Sequence, residues 1–255
     1  MSASLTYVFC LVRSARRPVV AAVAAGLPGA GELRVLPAGP ATWLIATTVP
    51  EREYSESALL KGLQDLDWVG RRAMAHEAVV EHFLSAPAVL PMQLFTLFTS
   101  NERAIAHVER DRRKIERILA RIDRQHEWGL RLTWDEKGAR EKVDKGARAR
   151  RSASGADYLT RKRDLLNVNR VQLTAAKAEA NRIYRALSRE ATDARRHTSL
   201  ERAAPGSRLL LDAAFLVPVK RATAFRAALR KQARALGPSG VVVSLTGPWP
   251  PYNFI

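Results

Sequence analysis

Through the first hundred residues the spacing of apolar side chains switches between strand-like and helix-like periods in a fixed order. That order restricts the fold more than any other feature. Thr6–Val12 is an apolar run that predicts a strand. Pro18 then opens Val19–Ala25, an alanine-rich stretch that stops at Gly26 and reads as a short helix. Leu33–Leu36 and Thr42–Thr48 are β-type runs, separated by the turn residues Pro37-Ala38-Gly39-Pro40. A long helix is expected next, capped by Ser55 or Ser57. Its face is Leu59, Leu63, Leu66, Val69, Ala73, Val79, Val80 and Phe83, and Pro87 ends it. Ala88–Leu90 and Leu94–Phe98 close the series as strand, interrupted at Pro91. The order β-α-β-β-α-β predicts a ferredoxin-like domain over residues 1–100, an antiparallel sheet with two helices on one face.

Residues 101–255 form the expected second domain, also α+β. Ser100 or Asn101 caps a helix whose apolar stripe is Ile105, Val108, Ile115, Ile118, Leu119 and Ile122. Its opposite face carries Arg110, Arg113, Lys114, Arg117, Arg121 and Arg124. Trp128–Trp134 alternates as a strand, and the charged stretch Asp135–Ser154 reads as a loop or a solvated helix. From Ala156 to Ala194, Leu159, Leu166, Leu173, Ala180, Leu187 and Ala194 fall seven apart, a partly coiled-coil period. Packing along the helix at 101–124 is preferred to a self-dimerising coil. Arg208–Val217, Arg221–Leu236 and Gly240–Thr246 read as a β-α-β unit that joins the Trp128 strand in a second sheet.

Charge separates the two parts. Residues 1–100 hold 8 Lys/Arg against 8 Asp/Glu. Residues 101–165 hold 19 against 12, and residues 166–255 hold 15 against 5, so the whole formal charge of +17 lies beyond residue 100. Such a field favours acidic partners, nucleic acid or anionic surfaces. The single cysteine, Cys10, sits in an apolar run and is expected to be buried and inert. With no run of the roughly 18 apolar residues a spanning helix needs, and no signal-peptide pattern, the reading is a soluble, cytoplasmic chain.

A search for reaction chemistry finds none. His76-Glu77 starts like a zinc-protease helix, but the i+4 position is Val80. His82, His107, His126 and His197 have no Cys or carboxylate at ligand spacing, so no metal site is expected. Gly26–Gly31 lacks the spacing of a phosphate or dinucleotide loop, which leaves no cofactor site, and no Gly-x-Ser-x-Gly elbow exists. Glu127 beside Trp128 lacks an opposing carboxylate, so a structural role is expected for it. No catalytic residue is named, and the chain is read as a non-enzyme. The basic face at Arg110, Arg113 and Arg117 suits phosphate or carboxylate, but the helix holds no aromatic residue for base stacking. That argues against specific nucleic-acid recognition.

The least generic feature is the ending, Gly247-Pro248-Trp249-Pro250-Pro251-Tyr252-Asn253-Phe254. Three prolines hold it extended, and its aromatic residues call for a groove in the protein itself or in a partner. The expectation is a plug on the carboxy-terminal domain. Trp249, Tyr252 and Phe254 are also candidate partner contacts, with Arg110, Arg113 and Arg117 on the basic helix.

This tail resembles the ending of the gas-vesicle accessory proteins F and L, which close on a very similar Gly-Pro-Trp-Pro-Pro-Tyr-x-Phe. Further segments match in order: Tyr7-Val8-Phe9, the helix around His76, Val89-Leu90-Pro91-Met92, Glu127-Trp128-Gly129-Leu130, Ser154–Leu159 and Ala213–Val217. The family usually continues Val-Leu-Pro with Arg-Phe-Gly-Thr, whereas here Gln93, Leu94 and Phe95 precede Thr96. The resemblance implies two domains and a non-catalytic role in gas-vesicle formation. Its implied partners are the gas-vesicle shell protein and other accessory proteins, in the cytoplasm and at the gas vesicle. It also makes Gln93 and Phe95 candidate contacts at an altered segment. The competing reading is a basic binding module for nucleic acid or acidic surfaces, a repurposed relative.

Overall fold

The computed structural model describes residues 3–20, 26–135, 155–198, 206–236 and 240–255, with side chains from residue 170 onward in its longest helix. The chain divides into two compact units, 1–126 with 248–255, and 127–247. The boundary therefore falls after His126 rather than at residue 100, and the last eight residues return to the first unit.

In the first unit, β1 (Ser4–Arg13), β2 (Arg34–Gly39), β3 (Thr42–Pro50) and β4 (Ala88–Pro91) form an antiparallel sheet in the order β2-β3-β1-β4. A two-residue strand, β5 (Leu97–Phe98), also pairs with β1. The expected helix at Val19–Ala25 falls largely on residues 21–25, outside the described residues. β1 is central, and both of its faces are covered. This is why it reads as an unbroken apolar run rather than an alternating one. Tyr7, Phe9, Cys10 and Val12 point to one core with Tyr54, Val79, Val80 and Phe83. Val8 and Leu11 point to another core with Leu44, Leu90, Val108, Leu119 and Ile122. Phe9 and Cys10 share a face because the register shifts between Val8 and Cys10.

The expected long helix is broken into α1 (Glu51–Tyr54), α2 (Glu56–Gly62) and α3 (Leu66–His82). Ser55 caps α2 through its side-chain oxygen. Asp65 starts α3 anew, its Oδ1 accepting from the Asp67 and Trp68 amides at 3.0 and 3.1 Å. Leu59, Leu63 and Leu66 fit a helical period across this break, yet Leu63 and Leu66 are exposed.

The helix expected at 101–124 is two segments, α4 (Asn101–Arg110) and α5 (Arg112–Arg121). Its apolar stripe was legible, but its partner was not. Ala104, Val108, Leu119 and Ile122 pack on the second face of the first sheet, not on a coiled-coil helix. The strand expected at Leu94–Phe98 shrinks to β5. Residues 93–96 instead form a turn, with the Thr96 amide and hydroxyl both donating to the Gln93 carbonyl at 3.1 and 2.7 Å.

The second unit has a four-stranded sheet in the order β7-β8-β6-β9. These strands are β6 (Gln125–Asp135, which starts within the first unit), β7 (Asp193–Arg196), β8 (Ser207–Pro218) and β9 (Val241–Trp249). Pro248 lies on the edge strand β9, where a missing N–H is tolerated. The helices are α6 (Gly155–Ser188) and α7 (Ala222–Ala235). α6 stops at Ser188 and the chain turns into β7, so the heptad position Ala194 belongs to a strand. Ala180, Ile183 and Leu187 pack with Phe215, Phe225 and Leu229 against the sheet. The stretch at 136–154 lies outside the described residues.

Candidate functional site

Between Phe9 and Val8 of β1 the neighbouring chain leaves the ladder. The Met92 amide still donates to the Phe9 carbonyl at 2.9 Å, and the Val8 amide to the Thr96 carbonyl at 3.0 Å. The residues between them loop outward. Beside this loop lies a cavity of about 410 Å³ within the first unit, lined by Ala73, His76, Glu77, Pro91, Met92, Gln93, Leu94, Tyr252 and Ile255. Its walls are thus α3, the end of β4, the outward loop and the tail.

Two candidate residues, Gln93 and Tyr252, line this cavity together. The Tyr252 hydroxyl donates to Glu77 Oε2 at 2.6 Å, which pins the tail to α3. Burial, followed by that carboxylate, pushes the Tyr252 phenol well above its ordinary range. Phe254 is fully buried, so it anchors the tail rather than offering a surface. The tail thus packs on the first unit and not, as expected, on the carboxy-terminal one. Trp249 is half-buried.

Phe95 adopts φ +65°, a left-handed conformation that costs a residue with a side chain about 1–2 kcal/mol. Glycine takes this conformation without strain, whereas here a phenylalanine holds it. Its ring stacks on Trp68 with centroids 5.5 Å apart. Trp68 in turn lies under the Arg72 guanidinium at 3.8 Å and fills the space beside Gly62, where a Cβ would stand 2.7 Å from the indole. Arg72 is buried, donating to the Tyr54 hydroxyl at 3.2 Å and lying 3.7 Å from the Glu53 carboxylate.

His76 and Tyr7 sit beneath the loop, joined across 69 residues of chain by a contact that no local spacing in the sequence announces. The Phe95 amide donates to the Tyr7 oxygen at 3.2 Å, and the Tyr7 hydroxyl lies 2.8 Å from His76 Nδ1. With the hydroxyl proton given to Nδ1, the ring proton is assigned to Nε2. The Met92 carbonyl lies close enough to favour that proton but makes no hydrogen bond of good geometry with Nε2. Burial dominates, and lowers the imidazole pKa to about 4. Burial also raises the Tyr7 phenol and the Cys10 thiol far above their usual values. Near neutral pH, therefore, His76 is uncharged, and Tyr7 and Cys10 hold their protons.

Arg110, Arg113 and Arg117 are exposed on α4 and α5 and are not among the residues lining the cavity. Arg110 pairs with Asp111 at 3.3 Å, and Arg117 donates to the Arg113 carbonyl at 3.3 Å. Glu127 is buried. Among the described residues no group of three or more His, Cys, Asp or Glu could hold a metal ion, and no helix is long and apolar enough to cross a membrane.

Fold and cavity together define a two-unit α+β protein whose first unit closes on its own proline-aromatic tail. The family model for gas vesicle synthesis protein GvpL/GvpF matches residues 5–255, and the chain belongs to that family. Gas vesicle protein L of Streptomyces sp. (strain CB03234) is 31% identical over 216 residues, covering 83% of this chain and 79% of the relative. Two solved structures share the fold at 12% identity. GvpF from Anabaena sp. PCC7120 gives a TM-score of 0.69 over 98% of this chain and 95% of that one. GvpF from Microcystis aeruginosa gives 0.65 over 99% of each.

Proposed function

We propose that this chain is a non-catalytic accessory factor in gas-vesicle formation, acting in the cytoplasm and at the vesicle by binding the shell protein, other accessory proteins or both. The observation that carries the reading is the family match across residues 5–255. A shell subunit that must stay unaggregated before assembly needs a partner that covers apolar surface, and small apolar cavities beside sheet edges are common docking places. On this reading the cavity framed by Gln93, Leu94 and Tyr252 receives the partner, with Phe95 next in the loop, Trp249 half-buried in the same tail and Phe254 as the buried anchor. The exposed Arg110, Arg113 and Arg117 add a second, charge-guided contact.

The first unit is proposed to be ferredoxin-like, which its antiparallel order β2-β3-β1-β4 supports. Leu173, Ala180 and Leu187 keep their seven-residue spacing along α6, which supports a partly coiled-coil helix.

The test is capture of a gas-vesicle shell subunit by the purified chain, run beside a DNA duplex at low and high salt. Shell capture that survives high salt supports the proposal. DNA binding that collapses with salt, with no shell capture, overturns it.

A further inference from the structure

The second unit carries a surface that the gas-vesicle reading does not use. α7 buries Phe225 and Leu229 and exposes Arg226, Arg230, Lys231 and Arg234. Ala222–Ala235 contains no Asp or Glu. Arg226, Arg230 and Arg234 stand four apart, which places successive guanidinium stems about 6 Å from one another along the axis. Like charges at that spacing weaken a helix by a few tenths of a kcal/mol per pair.

Ordinary solvated faces offset this with carboxylates, as Arg112 and Glu116 do on α5 at 2.7 Å. Among the described residues no carboxylate pairs with these α7 cations, although the Arg226 guanidinium lies 5.8 Å from the centroid of the Trp128 ring. Of the acidic groups described in the second unit, Glu179 pairs with Arg182, Glu190 with Arg221 and Asp212 with Arg131, and Glu127, Asp135 and Asp193 are also engaged. Arg182 also donates to Gln232 of α7 at 2.7 Å, Arg185 is exposed further along α6 and Arg189 just past its end, so the neighbouring segment adds positive charge.

We propose that the outward face of α7 is a docking site for a partner α-helix bearing carboxylates at four-residue spacing. Charge complementarity selects the acid, and the pattern of small residues selects the helix. Thr223, Ala224 and Ala227 are exposed among the cations. They let a second helix approach closely while the arginines reach its flanks. A face for single-stranded nucleic acid would interleave exposed aromatic rings for stacking, and α7 exposes none; a duplex, held through its phosphates alone, is the comparator in the test.

The probe is a blocked, labelled peptide of about 20 residues made of alanine with glutamate at every fourth position. A scrambled peptide of the same composition and a DNA duplex are the comparators. Anisotropy is read with the full chain at about 50 and about 300 mM salt. The wild-type chain is expected to prefer the spaced peptide. The triple change Arg226→Gln, Arg230→Gln and Arg234→Gln should weaken binding about tenfold. The same change at Arg110, Arg113 and Arg117 should leave it within about twofold. The α7 variant should melt close to the wild-type temperature, because relief of the charge repulsion offsets loss of the Arg226 contact with Trp128. No binding at low salt, equal losses in the two variants, equal binding of the scrambled peptide, or tighter DNA binding through the α7 arginines would each overturn the proposal.

Discussion

Lowering the pH should unfasten the first unit through one residue, His76. In the folded chain its pKa is held at about 4, against an ordinary 6.5, chiefly because burial disfavours the charged ring. Between these values the unfolded chain binds a proton that the folded chain refuses. Stability is therefore fully present above about pH 6.5, falls as pH drops toward 4, and changes no further from this source below that. A shift of about 2.5 units corresponds to about 3 kcal/mol. That is a large part of the roughly 5–15 kcal/mol that holds a typical domain together. Carboxylates also titrate in this window, and Glu77 and the phenols of Tyr7, Tyr54 and Tyr252 surround the ring or its partners, so the wild-type curve alone cannot isolate the effect. His76→Asn removes the titration and keeps an acceptor for Tyr7. Urea unfolding of both proteins at steps from about pH 7.5 to about pH 4 should give a stability difference that shifts by about 3 kcal/mol in favour of the variant on acidification. Imidazole titration by NMR reads the folded pKa directly. A stability difference that stays flat, or an imidazole that titrates near 6.5, would refute the reasoning.

Three further outcomes follow from the same region. Removing Pro248–Ile255 should lower the stability of the first unit by at least about 3 kcal/mol, the usual cost of losing a buried phenylalanine. Amide exchange should accelerate in β1 and β4 while α7 and β8 keep their protection, and the reverse pattern would place the tail on the wrong unit. Phe95→Ala keeps the left-handed strain and loses the Trp68 stacking, whereas Phe95→Gly loses only the stacking. The glycine variant should therefore be the more stable by about 1 kcal/mol in chemical denaturation, opposite to the usual ranking of the two residues. Gly62→Ala would bring its Cβ to 2.7 Å from Trp68 and should cost about 1–3 kcal/mol, with a changed near-ultraviolet tryptophan signal.

Periodicity made individual elements legible and left their partners open. The stripe Val108, Ile115 and Ile122 was visible, but a helix face does not say whether it will meet a helix or a sheet, and it met the sheet. The seven-residue spacing at Ala180 and Leu187 likewise serves a helix lying on strands. β7, Asp193-Ala-Arg-Arg, is too polar and short to announce itself, since an edge strand can be held by main-chain pairing with β8 alone. The break at Asp65 was hidden because Leu59, Leu63 and Leu66 happen to keep helical spacing through it. At the cavity, Tyr252 and Gln93 stood out by composition and by departure from a family pattern. Tyr7, His76 and Glu77 are brought to them by contacts that span from 69 to 175 residues of chain, which no local pattern encodes.

Among the described residues, three non-glycine positions with positive φ sharpen the case for the cavity. Ala41 lies in the tight turn between β2 and β3, and Arg124 lies in the short link from α5 to β6, where its amide reaches the Pro87 carbonyl. Both positions follow from chain reversal. Phe95 has no such excuse, because a glycine would satisfy the same turn without strain. Its ring is the part that needs explaining, and it stacks on Trp68 above a histidine kept neutral by burial. Departures from local preference persist where surrounding structure holds them, and they concentrate at working sites. A neutral His76 with an unsatisfied Nε2 and a tail fastened by Tyr252 to Glu77 border one cavity, and the strained Phe95 follows directly on its lining residues Gln93 and Leu94. Their proximity supports the proposal that the loop at 93–96 meets a partner.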